Sequence, residues 1–296
     1  MPKKEEITKK ILNSPALEDM ESLSIIAAFE ELLRVLAKFD FTDSEMFYVI
    51  DRKKGILKYS YLGIEKNLTD MIEFGYDNSA IRRMVKDKPE VLSFPIEKIY
   101  ASAGVFGLCG FSKTEFLTIS KRNSDVFEWT LDDLHDWKID FEGLGFTEED
   151  FKTTILNDSK TLTVTIGRII ECMDIFREFD YSEQEIRHII VTFPSVISRS
   201  LEQTREKLRV VSLLGIKDAY TESPERLRQS AHLTSAKAAY LIEHDEFLKT
   251  TRGKNLLFAS SGRLKRFFGI DNKGIEALYN LRLDLNEKRK GLETHQ

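Results

Sequence analysis

The residues in this chain that could do chemistry are cations, and their spacing is regular. Arg82, Lys152 and Arg187 fall in one column at multiples of 35 residues, with Phe47 and Leu117 in the remaining places. Arg83 and His188 stand one position later. Lys86, Lys121 and Arg122, together with Arg52 and Lys53, follow near the end of the same predicted helix. Lys98 and Arg168 make a second column further on. Evenly spaced cations suit a polyphosphate backbone, whose charges repeat and whose binding is driven largely by counterion release. Arginine adds a planar fork that matches phosphate. The plainer expectation is a solvated face, since 31 % of the chain is charged. Arg263, Lys265 and Arg266, followed by Lys273 and Arg282, form the most basic local stretch. It either extends a binding groove or is an ordinary basic surface.

Other chemistries find little support. His135, His188, His232, His244 and His295 are scattered, and only His244 adjoins a carboxylate, Asp245. Neighbours on a helix point different ways, so no metal site is expected. There is no glycine-rich phosphate loop, no Gly-x-Ser-x-Gly and no His-Glu-x-x-His. No enzyme and no cofactor are expected. Cys109 and Cys172 lack metal or redox spacing and read as reduced, buried thiols. Trp129 and Trp137 share a repeat with Asp132, Asp133, Asp136 and Asp140, either as a docking surface or, more simply, as amphipathic packing. No apolar run is long enough to cross a membrane. The segment MPKKEEITKK has neither an apolar signal core nor an arginine, so the expected location is cytoplasmic. A mitochondrial or other organellar location remains the alternative if a transit segment has been removed. The net charge is −5. Residues 1–213 hold 29 Lys and Arg against 38 Asp and Glu, while residues 214–296 hold 15 against 11.

The elements that would position these cations form a repeat. A short turn begins at Phe39, Phe74, Cys109, Leu144, Phe179 and Leu214, each 35 residues after the last. Thr42, Asp77, Ser112, Thr147 and Ser182 follow as N-cap residues. Ser182 with Glu185 makes a capping box, and Ile186, Ile189 and Ile190 fall at helical spacing behind it. Pro89 and Pro194 then break the first helix, and a second helix closes the unit. Phe106, Phe141 and Phe176 recur in the second helix and read as core. The spacing predicts an all-α protein of about seven two-helix repeats, a superhelical α-solenoid. Residues 1–38 read as an N-terminal capping half-repeat and residues 39–216 as five repeats in register. Residues 217–232 read as an insertion. Residues 233–270 read as a further repeat, its first helix over 237–247, a break at Gly253 and Lys254, and its second helix over 255–268. Residues 271–296 read as a cap helix over 273–283 and a polar tail.

The strings FGYDNSAIRRMVKDKPEVL, LGFTEEDFKTTILNDSKTL and FDYSEQEIRHIIVTFPSVI resemble the repeat of the mitochondrial transcription termination factor (mTERF) family. Pro89 with Leu92 and Pro194 with Ile197 match its apolar–Pro–x–x–Leu break, and the likeness covers about residues 39–270. The resemblance implies a curved, right-handed superhelix that binds double-stranded DNA or structured RNA in a concave basic groove. It implies a role in transcription or ribosome assembly, sometimes with a protein partner. The chain departs from the family in being acidic and in showing no transit peptide. The units are too diverged for a one-base-per-repeat code. The expectation is a monomeric, nucleic-acid-binding regulator of transcription. The alternative is a protein-interaction scaffold that has lost nucleic-acid binding.

Overall fold

Each repeat is set by its polar punctuation. In the computed structural model, which describes residues 4–244, 250, 253 and 255–293 (only the main chain from 284 on), the turns carry a residue at positive φ. These are Asp40, Gly75, Gly110, Gly145, Asp180 and Gly215. Five residues back, a carbonyl accepts from the amide that follows: Phe41 to Leu36, Tyr76 to Met71, Phe111 to Phe106, Tyr181 to Phe176 and Ile216 to Val211. This is the Schellman closure of a helix C-terminus. It brings an apolar pair together across the turn, with Phe106 and Phe111 ring centroids 5.5 Å apart and Phe176 and Tyr181 5.4 Å apart.

The next helix starts at once. Thr42, Ser112, Thr147 and Ser182 form reciprocal capping boxes with Glu45, Glu115, Asp150 and Glu185, and Asp77 caps its helix alone. The break that follows is a 3-10 turn. At Pro89 and Pro194 proline takes its first position, where no N–H is needed. The second helix is capped by Ser60, Thr130, Thr165 or Ser200.

The chain divides into two compact units, Met1–Leu162 and Thr163–Gln296. Unit 1 holds α1 (Lys4–Leu12), α2 (Ser22–Lys38), α3 (Asp43–Arg52), α4 (Tyr61–Phe74) and α5 (Asn78–Asp87). It continues with α6 (Ile96–Leu108), α7 (Lys113–Ser120), α8 (Leu131–Gly143) and α9 (Glu148–Asn157). Second helices stack in order, α2 on α4, α4 on α6 and α6 on α8. Phe106, Phe116, Phe141 and Phe151 are fully buried between the layers, as expected of a core column.

Unit 2 holds α10 (Ile166–Arg177), α11 (Glu183–Thr192), α12 (Leu201–Leu213), α13 (Asp218–Glu222), α14 (Ala231–Glu243), α15 (Ser261–Phe268) and α16 (Asn272–Glu293). Here α10 packs on α12, α12 on α14 and α14 on α16. Among the described residues there is no strand, and no helix is long and apolar enough to cross a membrane.

The structure departs from the sequence reading at both ends. Residues 1–38 are more than a half-repeat: α1 buries Ile7 and Ile11, and a 3-10 turn at Pro15–Leu17 precedes α2. Residues 217–232 are not an insertion. The segment Pro224-Glu225-Arg226-Leu227 is the same Pro-x-x-Leu break, lying in a 3-10 turn, and Ser230 caps the second helix. The first helix, α13, has 5 residues where α11 has 10, so Ser200, Ser230 and Ser260 follow at 30-residue spacing. Residues 237–243 accordingly lie in a second helix. His244 ends that helix as its C-cap, and Gly253, expected in the break, is helical; residues 245–247 of the expected first helix, and Lys254 of the break, lie outside the described residues. The expected helix over 255–268 is a 3-10 turn, Asn255–Phe258, followed by α15. The final helix runs to Glu293, well past 283.

Candidate nucleic-acid interface

The column of Arg82 and Lys152 covers the turn of the preceding repeat. The Arg82 guanidinium donates to the main-chain carbonyl of Asp40 and lies 3.9 Å from the Glu45 carboxylate. Leu117, one repeat on, stands 3.3 Å from where a Cβ on Gly75 would be. Lys152 lies 3.9 Å from the same point on Gly110, with its ammonium 5.9 Å from the Phe111 ring centroid. The regular placement thus has a structural cause: each side chain roofs a main-chain turn that exposes polar atoms.

Other predicted cations in unit 1 are also engaged. Arg122 donates to the Leu156 carbonyl at 2.7 Å, and Arg52 to the Lys86 carbonyl at 2.9 Å, capping the last turn of the next first helix. Lys86 is 3.5 Å from Glu45, Lys121 is 3.8 Å from Asp77 and Lys98 is 3.7 Å from Glu128. Arg82, Arg83 and Lys86 do line one cleft of about 220 Å³, but Glu45 lies among them. The Glu45 carboxyl is held below the usual range; burial opposes this, and the Thr42 hydrogen bonds and the Lys86 and Arg82 charges outweigh it.

The 3-10 turns form a separate edge. In unit 1 their cations meet carboxylates of the following repeat. Lys53 pairs with Glu90 at 2.8 Å, and Lys88 with Asp125 and Glu128 at 2.9 and 3.1 Å. An open cleft of about 420 Å³ on this edge is lined by Arg52, Lys53, Asp87, Lys88, Pro89, Glu90 and Asp125, both signs together.

Unit 2 differs. Residues 1–162 hold 22 Lys and Arg against 30 Asp and Glu; residues 163–296 hold 22 against 19. Arg168 donates to the carbonyls of Ile197 and Arg199 and pairs with Glu171. Arg187 lies on α11, where its charge helps hold the Glu183 carboxyl below the usual range; the larger cause there is Arg177. Arg263, Lys265 and Arg266 are exposed on α15, and among the described residues no ion pair forms at any of them. Arg282 is paired with Glu243. The break position held by Lys53 and Lys88 is Phe193 here. The guanidiniums of Arg199 and Arg228 lie 5.4 and 5.3 Å from its ring centroid. Neither has an ion-pair partner among the described residues, and the Arg199 Nε is buried with no acceptor. These two residues did not stand out in the sequence. Their signal is the proline break itself, since each follows one, at Pro194 and Pro224.

Trp137 is buried against Phe141 and Phe151, at 5.0 and 5.9 Å, and Asp133 belongs to the Thr130 capping box. Cys109 and Cys172 are buried and unpaired, and burial pushes the Cys172 thiol up to about 12. Among the described residues no group of His, Cys, Asp or Glu is placed to hold a metal ion.

These features define an all-α helical-repeat protein built from capped helix pairs and 3-10 breaks. The mTERF family model matches residues 3–142, which supports the assignment of the chain to the mTERF family. A comparison with curated proteins finds no match. Beyond residue 142 the same caps, turns and breaks continue through unit 2.

Proposed function

We propose that this chain is a nucleic-acid-binding protein of mTERF type, taking double-stranded DNA or structured RNA on its second unit and acting by binding rather than catalysis in the regulation of transcription. The observation that carries the reading is the exposed set Arg263, Lys265 and Arg266 on α15, which has no ion-pair partner among the described residues. Leu264 anchors that helix in the core, so the three cations are presented by a fixed element. Family membership supports the same reading. Cations without carboxylate partners are the groups that release counterions from a phosphate backbone.

The test is a salt series of the whole chain on a DNA duplex and an RNA hairpin. Reversing Arg263, Lys265 and Arg266 to Glu is expected to weaken binding and to lower the slope of log K against log salt by about 3. Negligible binding of both probes at low salt sinks the reading. A second reading, a protein-interaction scaffold, draws on unit 1. There Asp132, Asp136 and Asp140 are exposed along α8 beside exposed Leu131 and Ile139, and among the described residues no ion pair forms at the three carboxylates. Retention of a protein by unit 1 despite failure of all nucleic-acid binding would favour it.

A further inference from the structure

Arg199, Phe193 and Arg228 sit on the 3-10 edge of unit 2. Two guanidiniums share one ring there, each within 5.4 Å of its centroid. Two cations gathered on one ring repel each other, and a folded protein normally places a carboxylate nearby. Unit 1 shows that solution on its own edge, where Lys53 and Lys88 meet Glu90 and Asp125. In unit 2 no such counter-charge stands at either arginine among the described residues. A third cation lies behind them. Lys207 is 1 % exposed, and its ammonium donates to the Leu227 carbonyl at 2.9 Å. Burial lowers its affinity for a proton, and the charge of Arg199 lowers it further; Glu206 acts in the opposite sense.

The arginines are also pre-positioned. Stacking on Phe193 restricts both side chains. The main chain of Arg199 is held by Arg168, which donates to the Arg199 carbonyl and, at 3.1 Å, to that of Ile197. Meanwhile the Arg199 Nε is a buried donor with no acceptor, a group that folding ordinarily satisfies.

We infer that Arg199 and Arg228, braced on Phe193, form a clamp for a single phosphate group, which supplies a counter-charge that the described residues of this edge do not. The identification of that group as a backbone phosphodiester rests on the nucleic-acid reading above; the clamp itself does not. Guanidinium forks take phosphate oxygens two at a time, which a lone lysine edge does not offer.

Two measurements on the whole chain test this. In the first, thermal unfolding is followed in inorganic phosphate and in sodium chloride of equal ionic strength. Phosphate is expected to raise the midpoint of the wild type, and not that of Arg199→Gln/Arg228→Gln. In the second, the salt dependence of duplex and hairpin binding is compared for the same pair. The double variant is expected to lose about 2 from the salt slope, and the single Arg228→Gln, at an exposed site, about 1. Equal protection of both proteins by phosphate, or an unchanged slope in both variants, overturns the clamp. Phosphate protection lost in the variant, without nucleic-acid binding by any form, retains the clamp for a free phosphate ester and removes the nucleic-acid reading. Strong nucleic-acid binding with an unchanged slope does the reverse.

Discussion

The ammonium of Lys207 donates to the main-chain carbonyl of Leu227 at 2.9 Å, tying a second helix to the 3-10 turn of the next repeat. Lys237, one 30-residue repeat on, makes a similar bond, to the carbonyl of Ala259 at 2.8 Å. Asn67 and Ser102 occupy the column in unit 1 and donate to Leu92 and Phe127 at 3.3 and 3.2 Å. At these positions the column is a polar strut between repeats, built from buried lysines in unit 2, while Trp137 and Cys172 fill the places between with apolar side chains.

That choice makes stability depend on pH. Burial lowers the pKa of Lys207 and of Lys237 from 10.5 to about 8. Below pH 8 both folded and unfolded chains hold the protons, and the desolvation cost stands in full. Between 8 and 10.5 the folded protein releases them while the unfolded chain keeps them, so the unfolding free energy rises with pH. From pH 7.5 to 9.5 the gain is about 1–2 kcal/mol per lysine. Urea unfolding at each pH measures it, and Lys207→Met/Lys237→Met should flatten the curve. A wild-type curve that falls over this range would contradict the buried struts.

Asp180 holds φ +60° at a turn where Gly215 and Gly145 stand in neighbouring repeats. Side chains disfavour this conformation. Asp180→Gly should therefore stabilise the fold by about 0.5 kcal/mol, the relief slightly exceeding the added freedom of the unfolded chain. Gly75→Ala should do the opposite, costing about 1–3 kcal/mol. Its φ is +124°, and the new Cβ would stand 3.3 Å from Leu117 Cδ1. Denaturant midpoints of the two variants must move in opposite directions.

Arg82 and Arg122 are hydrogen-bonded to main-chain carbonyls of neighbouring repeats. Replacing either with Ala should cost about 1 kcal/mol of stability. Binding to a DNA duplex, measured on protein that remains folded, should change little compared with the α15 reversal. A large loss of affinity without loss of stability would return these residues to the interface.

Ser182 accepts from the Glu185 amide, while Glu185 reaches back to the Ser182 amide at 2.7 Å. Ser182→Ala should cost about 1 kcal/mol in equilibrium unfolding. Asp77, whose N3 position is Ala80, has no return bond, so Ala80→Glu should add a capping box and raise the midpoint. No gain from that change would show that the cap geometry there differs from its neighbours.

The helical repeat could be read from one-dimensional information, because caps, turns and prolines act within a few residues. Ser182, Glu185 and Pro194 each did locally what their chemistry dictates. The C-terminal units are harder to read because their period is not constant. A first helix shortened to 5 residues keeps Ser223-Pro224 and Ser230 in their roles while moving them off a 35-residue grid.

The amino-acid order alone determined an all-helical chain of capped pairs, since hydrophobic spacing and backbone capping are local. Which cations are held and which are bare was decided only by folding. Arg82 and Lys152 share a column because both cover a turn one repeat away, and Lys53 and Lys88 are neutralised by carboxylates 37 residues on. Arg199 and Arg228 have no such partner among the described residues; the proline breaks that precede them, at Pro194 and Pro224, do not by themselves say so. Charge pairing between repeats depends on distance in space, and that distance exists only once the helices have stacked.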